Sequence, residues 1–534
     1  MRPSFSELSL YTKRFFSAVF LSRLSGLGRD LAMAFAFGDH ISVAAFFVAF
    51  RLSNLLRRLL GEGPFQAAFI PHFEELRIAD PQKANSFFRR LIVLIATFLF
   101  VLTIIVEISL ILLLSFSFFS EANREIAILT AWLFPAIIFI CLYGLNISLL
   151  QCCDIFFVPN FAPFVCNVFW IAGALFLKHH NPQQAMITLS QFVVVGFIGQ
   201  WLMTLPLTLK QVSANFKNWI SFKIPTEVKA LFKAFAVSAI GVGALQINAF
   251  VDTLFARYAD LRGPVYLWYS IRLEQLALAV FGIACINTII PRLSRAIKKG
   301  DLENGKALFA LSYKRIMVVM LPCFFALLAL GAVAVNLLYG RGYFSTLAIS
   351  QTVICLWSYG LGLLPSVMVI LFSALFYAQR NFRLPTLASI ISVFLNIGLN
   401  GLFVFGFRWG AASIALATSF SALFNFWFLQ RRAKRDGWKS EFAFTRVLQI
   451  GLAAGFGCLS VFLGNLFFFN QNLLNLVLGK TVVFSHSFSL QLFEFCSLSL
   501  FFIGGLLLYT VLFKNQDLRE FSQDFFQRKA ALKD

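Results

Sequence analysis

Fourteen apolar segments divide this chain, at roughly 15–37, 43–60, 91–115, 128–150, 160–177, 187–209, 234–256, 266–290, 316–338, 349–376, 384–405, 411–430, 447–468 and 489–513. Each is close to the roughly 20 residues that a helix needs to cross about 30 Å of hydrocarbon. In lipid the backbone must satisfy its own hydrogen bonds, which leaves helices or closed barrels, and these runs are too long for barrel strands. The reading is therefore an all-α, polytopic membrane protein of about fourteen transmembrane helices. Composition agrees, with 59% hydrophobic and 13% charged residues and a mean hydropathy of +0.80. A soluble enzyme, a disordered chain and a disulfide scaffold are all excluded by those values. The nine cysteines lie mostly inside apolar runs without a CxxC, so they act as small hydrophobes.

The basic residues test the count of spans. With the N-terminus cytoplasmic, 32 of the 45 Lys and Arg fall in the segments facing the cytoplasm, and only seven in the opposite loops. That is the bias expected of cytoplasmic loops, and a wrong count would scramble it. Both termini are then cytoplasmic. The first span carries an Ala34-Phe35-Ala36 sequence like a cleavage site, but Arg23, Arg29 and Asp30 interrupt its apolar core, so it is read as retained. The net charge of +21 is assigned to loops facing an anionic membrane surface rather than to nucleic acid.

Six bases remain inside spans: Arg23 and Arg29 in the first, Arg51, Arg57 and Arg58 in the second, and Arg272 in the eighth. Each costs about 2.5–3.5 kcal/mol at a helix centre, which points to a watery cavity, a counter-charge or a ligand. The intramembrane acids Asp30, Glu107, Asp252 and Glu274 are fewer. An excess of Arg suggests an anionic substrate, with phosphate first because its geometry suits a planar fork. Arg23 and Asp30, seven residues apart, share a helix face, and Gly26 and Gly28 between them permit a bend or break. Arg51, Asn54 and Arg58 fall on one arc of the second span. Two plainer readings stand beside these: Arg57 and Arg58 as the cytoplasmic flank of their helix, and Arg272 as a residue that snorkels.

The chain also repeats itself. Phe50-Arg51-Leu52 and Pro71 are echoed by Ile271-Arg272-Leu273 and Pro291, with Arg51 and Arg272 separated by 221 residues. Ser17-Ala18-Val19 is echoed at the same spacing by Ser238-Ala239-Ile240. Two six-helix lobes follow, and an even number of spans makes the repeat parallel. The expected organisation is an N-lobe at 1–210, a linker at 211–233, a C-lobe at 234–435, and two further helices with a tail at 436–534.

At the residues Ser22-Arg23-Leu24-Ser25-Gly26-Leu27-Gly28-Arg29-Asp30, Phe50-Arg51-Leu52-Ser53-Asn54-Leu55-Leu56-Arg57-Arg58 and Gly61-Glu62-Gly63-Pro64-Phe65-Gln66, the sequence resembles the MurJ (MviN) lipid II flippases of the MOP transporter superfamily. The stretches Arg272-Leu273-Glu274-Gln275 and Ile290-Pro291-Arg292-Leu293 extend the likeness. The resemblance implies a bacterial inner-membrane carrier. Its substrate would be the undecaprenyl-pyrophosphate-linked peptidoglycan precursor, moved from the inner to the outer leaflet by alternating access. It implies substrate contacts at Arg23, Arg29, Arg57 and Arg272, within a candidate set that also holds Asp30, Arg51, Asn54, Arg58 and Glu62. It further implies sodium as a coupling ion at Asp252, Asn396, Asn400 and Thr418, and a groove for the lipid tail between spans 13 and 14. No other cofactor is expected, and a monomer is. Ala277 and Ala279 depart from the family, which often has Pro and Gly there.

Two alternatives remain in view. A carrier of another isoprenoid-linked oligosaccharide, of the O-antigen type, would use the same arginine chemistry. A membrane-embedded lipid-modifying enzyme would need a constellation such as HExxH, a DxxxD pair or Ser with His and Asp. None is present, and the five histidines lie mostly in loops.

Overall fold

The computed structural model describes residues 5–60, 63–116, 120–212, 246–283, 290–438, 444–469 and 487–513, with single positions at 235, 243, 286 and 518. Most of the expected 211–233 linker lies outside them. All the regular structure among these residues is helical. In chain order the helices are α1 (Phe5–Phe37), α2 (Ile41–Leu60), α3 (Pro64–Ala79), α4 (Pro81–Ser115), α5 (Glu121–Leu133), α6 (Ala136–Cys152), α7 (Phe157–Phe176) and α8 (Pro182–Val212). They continue with α9 (246–259), α10 (Gly263–Ala277), α11 (Ile290–Lys298), α12 (Leu302–Tyr339), α13 (Thr346–Ala378), α14 (Arg383–Gly401), α15 (Ala412–Arg435), α16 (Phe444–Phe468) and α17 (Phe488–Leu512).

Nine of these are long and apolar enough to cross a membrane, and α5 with α6, bent by 45° at Pro135, makes a tenth. The other four expected spans fall at α1, α2, α9 and α10. Three of those four are the helices that carry the intramembrane bases. Of these, α2 is apolar over Ile41–Leu55 among the described residues, short of a full crossing. The lipid face is plainest on α4, where Phe98, Ile104, Ile105, Ile108 and Ile111 are exposed. In a membrane such a face is solvated by acyl chains and needs no partner.

Two compact units divide the chain, Met1–Leu254 and Phe255–Asp534, with the division inside α9. The repeat is visible in how each unit packs. In the first, α2 packs on α5, α6 on α8, and α7 on α8. In the second, the helices at matching positions do the same: α10 on α13, α13 on α15, and α14 on α15. Each unit has its own aromatic core. Phe69, Phe73, Phe87 and Phe88 interlock α3 with α4 in the first, and Phe309, Phe372 and Trp438 interlock around α12 and α13 in the second.

One local expectation is corrected. The first helix does not break at Gly26 or Gly28; α1 is helical from Phe5 to Phe37. Those glycines face α7 instead, where an added Cβ would come 3.8 Å from Asn167 Nδ2 and 3.6 Å from Ile171 Cδ1. The irregularity lies in α10, which widens into a π-helical turn over Leu278–Ile283 despite Ala277 and Ala279. Such turns are often found at functional positions.

Candidate functional site

In the first unit, α1 and α7 pack side by side and build a cradle around one arginine. Arg29 donates from Nε and Nη2 to a single oxygen of Asp30, at 3.1 and 2.9 Å. Its Nη1 reaches Asn167 Oδ1 on α7 at 3.3 Å. One turn further along α7, Trp170 lies under the guanidinium, with the carbon centre 4.7 Å from the ring centroid. Every member is fixed from behind. Asn167 Nδ2 donates to Ser25 Oγ at 2.9 Å, and Trp170 is wedged edge-on against Phe46 and Phe50 of α2 at 5.4 and 4.9 Å. Asp30 is buried, while the Arg29 side chain keeps 15% of its surface open.

Donor counting shows what remains. A guanidinium has five N–H donors, and the cradle takes three of those of Arg29. Two are left on a side chain that stays partly accessible. The carboxylate neutralises the charge at rest and locks the fork in place, so a second anion would meet a preorganised donor.

The other expected site residues divide plainly. Arg57 donates from Nε to Asn54 Oδ1 at 2.5 Å, so these two share a face of α2. Arg51 donates to Thr253 Oγ1 at 3.3 Å. Arg23 and Arg58 are exposed. The face shared by Arg23 and Asp30 does not become a pair: Asp30 bonds its neighbour Arg29. Glu62 lies outside the described residues.

In the second unit, Arg272 stacks on Trp268, four residues earlier on α10, at 4.7 Å. Three of the four expected sodium ligands meet across α14 and α15. Asn400 Nδ2 donates to Asn396 Oδ1 at 2.8 Å, and Asn396 Nδ2 donates to Thr418 Oγ1 at 3.3 Å. Both asparagines are buried. The fourth, Asp252, is buried in the first unit, where it accepts from Asn248 Nδ2 at 3.2 Å. Between α16 and α17 runs an apolar groove of about 620 Å³, lined by residues that include Phe468, Phe493, Phe501 and Leu508.

Sequence reasoning missed Asn167, Trp170 and Trp268. The last was readable, because residues four apart on a helix are neighbours. Asn167 and Trp170 carried only a weak sign: an amide three residues before an indole in an otherwise apolar span.

A polytopic helical protein with two like-packed units, arginines held inside the membrane and a groove between its last helices is a membrane carrier rather than an enzyme. The sequence model described as "Lipid II flippase MurJ" matches residues 33–487. Among curated relatives, a "Probable lipid II flippase MurJ" of Chlamydia muridarum is 34% identical over 406 residues, 76% of this chain and 75% of that protein. Its counterpart in Chlamydia pneumoniae is 34% identical over 433 residues, 79% of this chain and 77% of that protein. A solved lipid II flippase MurJ in an inward closed conformation superposes with a TM-score of 0.73 at 24% identity, covering 93% of this chain and 98% of that one. An inward-facing MATE multidrug transporter of the MOP superfamily gives 0.61 at 14% identity, covering 80% and 99%. The last two likenesses speak for the fold alone. This chain belongs to the MurJ family of lipid II flippases.

Proposed function

We propose that this chain carries the undecaprenyl-pyrophosphate-linked peptidoglycan precursor from the inner to the outer leaflet of the bacterial inner membrane. It would work as a monomer, by alternating access, with both termini cytoplasmic and no nucleic-acid partner. Arg29 anchors the pyrophosphate, Arg57 supports it from the neighbouring helix, and Arg23, Arg51, Arg58 and Arg272 meet the anion along its path. The observation that carries this reading is the donor inventory of Arg29, which is held by three partners and has two N–H groups to spare beside an opening. A pyrophosphate offers several oxygens to such a fork, and bonds of this kind contribute roughly 1.5–3 kcal/mol each. Sodium is the proposed coupling ion, held by Asp252, Asn396, Asn400 and Thr418. One carboxylate with neutral oxygens suits a monovalent ion, and supports that choice. The lipid tail is assigned to the groove between α16 and α17, whose walls are mostly phenylalanine and leucine, with Ser460 and Ser497 among them.

Binding of a short-chain polyprenyl pyrophosphate to the purified protein tests the reading. Arg29→Ala should weaken binding about ten- to a hundredfold, the loss expected for one such bond. A monophosphate should bind less well than the pyrophosphate to wild type and equally poorly to the variant. Equal affinity of wild type and variant for the pyrophosphate would remove Arg29 from the site.

A further inference from the structure

At the end of the second unit's last helices lies a polar layer that the lipid reading does not use. Val333 of α12, Val461 of α16, and Leu498 and Phe502 of α17 form a buried apolar cluster where the three helices meet. Helix α17 runs antiparallel to the other two. One helical turn toward the end formed by residues 339, 468 and 488, the stepping is therefore +3 on α12, +4 on α16 and −4 on α17. Those steps reach Asn336, Asn465 and Glu494. All three are at most 2% exposed, as is Gln491, one turn further along. Gln491 Nε2 donates to Asn336 Oδ1 and to the Gly340 carbonyl, both at 3.2 Å, and so pins α17 to the end of α12. The ring contact between Phe469 and Phe493, at 6.2 Å, fixes the same register between α16 and α17.

Within this frame some atoms have nothing to bond. Glu494 Oε1 and both amide atoms of Asn465 are buried without a hydrogen-bond partner among the described residues. The charged groups described on these helices lie elsewhere. Lys306, Lys314 and Arg315 sit in the first half of α12 and Arg446 at the start of α16. Arg341, just past α12, stacks on Phe488 at 4.8 Å and donates to Leu337 and Leu338. A carboxyl and an amide buried at one level without hydrogen-bond partners are expensive unless something joins them.

We propose that the layer of Asn336, Asn465 and Glu494 is a binding site for a monovalent cation, in which the Glu494 carboxylate supplies the charge and Asn465 Oδ1 a neutral oxygen. The Asn465 amide N–H then turns to the second Glu494 oxygen, so that Glu494 Oε1 and both amide atoms of Asn465 gain partners. A single carboxylate favours a singly charged ion over calcium or magnesium, which gather several. Occupancy ties α16 and α17 to α12. This site is separate from the proposed sodium ligands at Asp252, Asn396, Asn400 and Thr418, and the inference does not rest on them.

Counting bound ions tests it. Radioactive sodium binding to the purified full-length protein, with choline as the inert cation, should give one ion fewer per chain in Glu494→Gln than in wild type. In an Asp252→Ala background Glu494→Gln should again remove one, which separates this site from the other. If Glu494→Gln yields no folded protein, Asn465→Leu is measured in its place and should weaken the same ion at least tenfold. An unchanged ion count in Glu494→Gln, or an unchanged affinity in Asn465→Leu, overturns the proposal. So does a wild type that binds no alkali cation, which would leave the layer to a proton or a water.

Discussion

Arg29 and Arg272 are both arginines inside the membrane, and both lie 4.7 Å over an indole, yet the two stacks are built differently. Trp268 is on the same helix as Arg272, so the stack is local and forms wherever α10 forms. Trp170 and Asn167 come from α7, about 140 residues from Arg29 along the chain, so that stack exists only while α1 and α7 are packed. Arg29 also has a fixed carboxylate beside it. The Arg29 stack therefore depends on the packing of two helices, and the Arg272 stack on the turn of one.

Removing the carboxylate should break the comparison most severely. Asp30→Ala leaves the Arg29 guanidinium without its counter-charge in a largely buried site, which costs about 3–5 kcal/mol when one partner of a buried pair is deleted. The expected outcome is a marked fall in melting temperature and in membrane abundance. Next comes Asn167→Leu, which deletes the α7 end of the cradle. Loss of a charge-assisted bond worth about 1.5–3 kcal/mol should reduce flipping by ten- to a hundredfold at normal abundance. A leaflet-specific probe of the lipid-linked precursor reads it. If the variant flips at the wild-type rate, the cross-helix contact is packing only. The smallest effect belongs to Trp268→Leu. A cation–π contact of this kind is worth about 0.5–1 kcal/mol, so at matched abundance flipping should fall only two- to fivefold, while the melting temperature falls as well because the indole is buried.

Those expectations also mark what the sequence reveals. The helices were legible because apolar runs near twenty residues and the alternation of basic loops are both physical requirements of a membrane. The repeat was legible in the 221-residue echo and returns as matching packing pairs in the two units. The intramembrane arginines were legible because each is costly where it stands. Their partners were less so. The helical wheel put Arg23 over Asp30, but a long flexible side chain one residue away, Arg29, reaches the same carboxylate once α7 supplies a second anchor. Glycines read as a break turned out to face a neighbouring helix, because a sequence shows that Cβ is absent and not which surface needs the room. Asn396, Asn400 and Thr418 were named from family likeness; the bond between Asn396 and Asn400 follows their four-residue spacing on α14, but the bond from Asn396 to Thr418 depends on a packing of α14 on α15 that no local pattern encodes.

The central claim is that Arg29 acts through the geometry of its fork and not through its charge alone. Arg29→Lys keeps the charge, and its ammonium can still meet Asp30. Flipping of the lipid-linked precursor is measured with a leaflet-specific probe in cells depleted of the native protein, with membrane abundance matched between variants. The account predicts that Arg29→Lys is as abundant as wild type and flips at least tenfold more slowly. A variant that flips at the wild-type rate would contradict it, leaving Arg29 as the structural partner of Asp30 and passing the anion to Arg57.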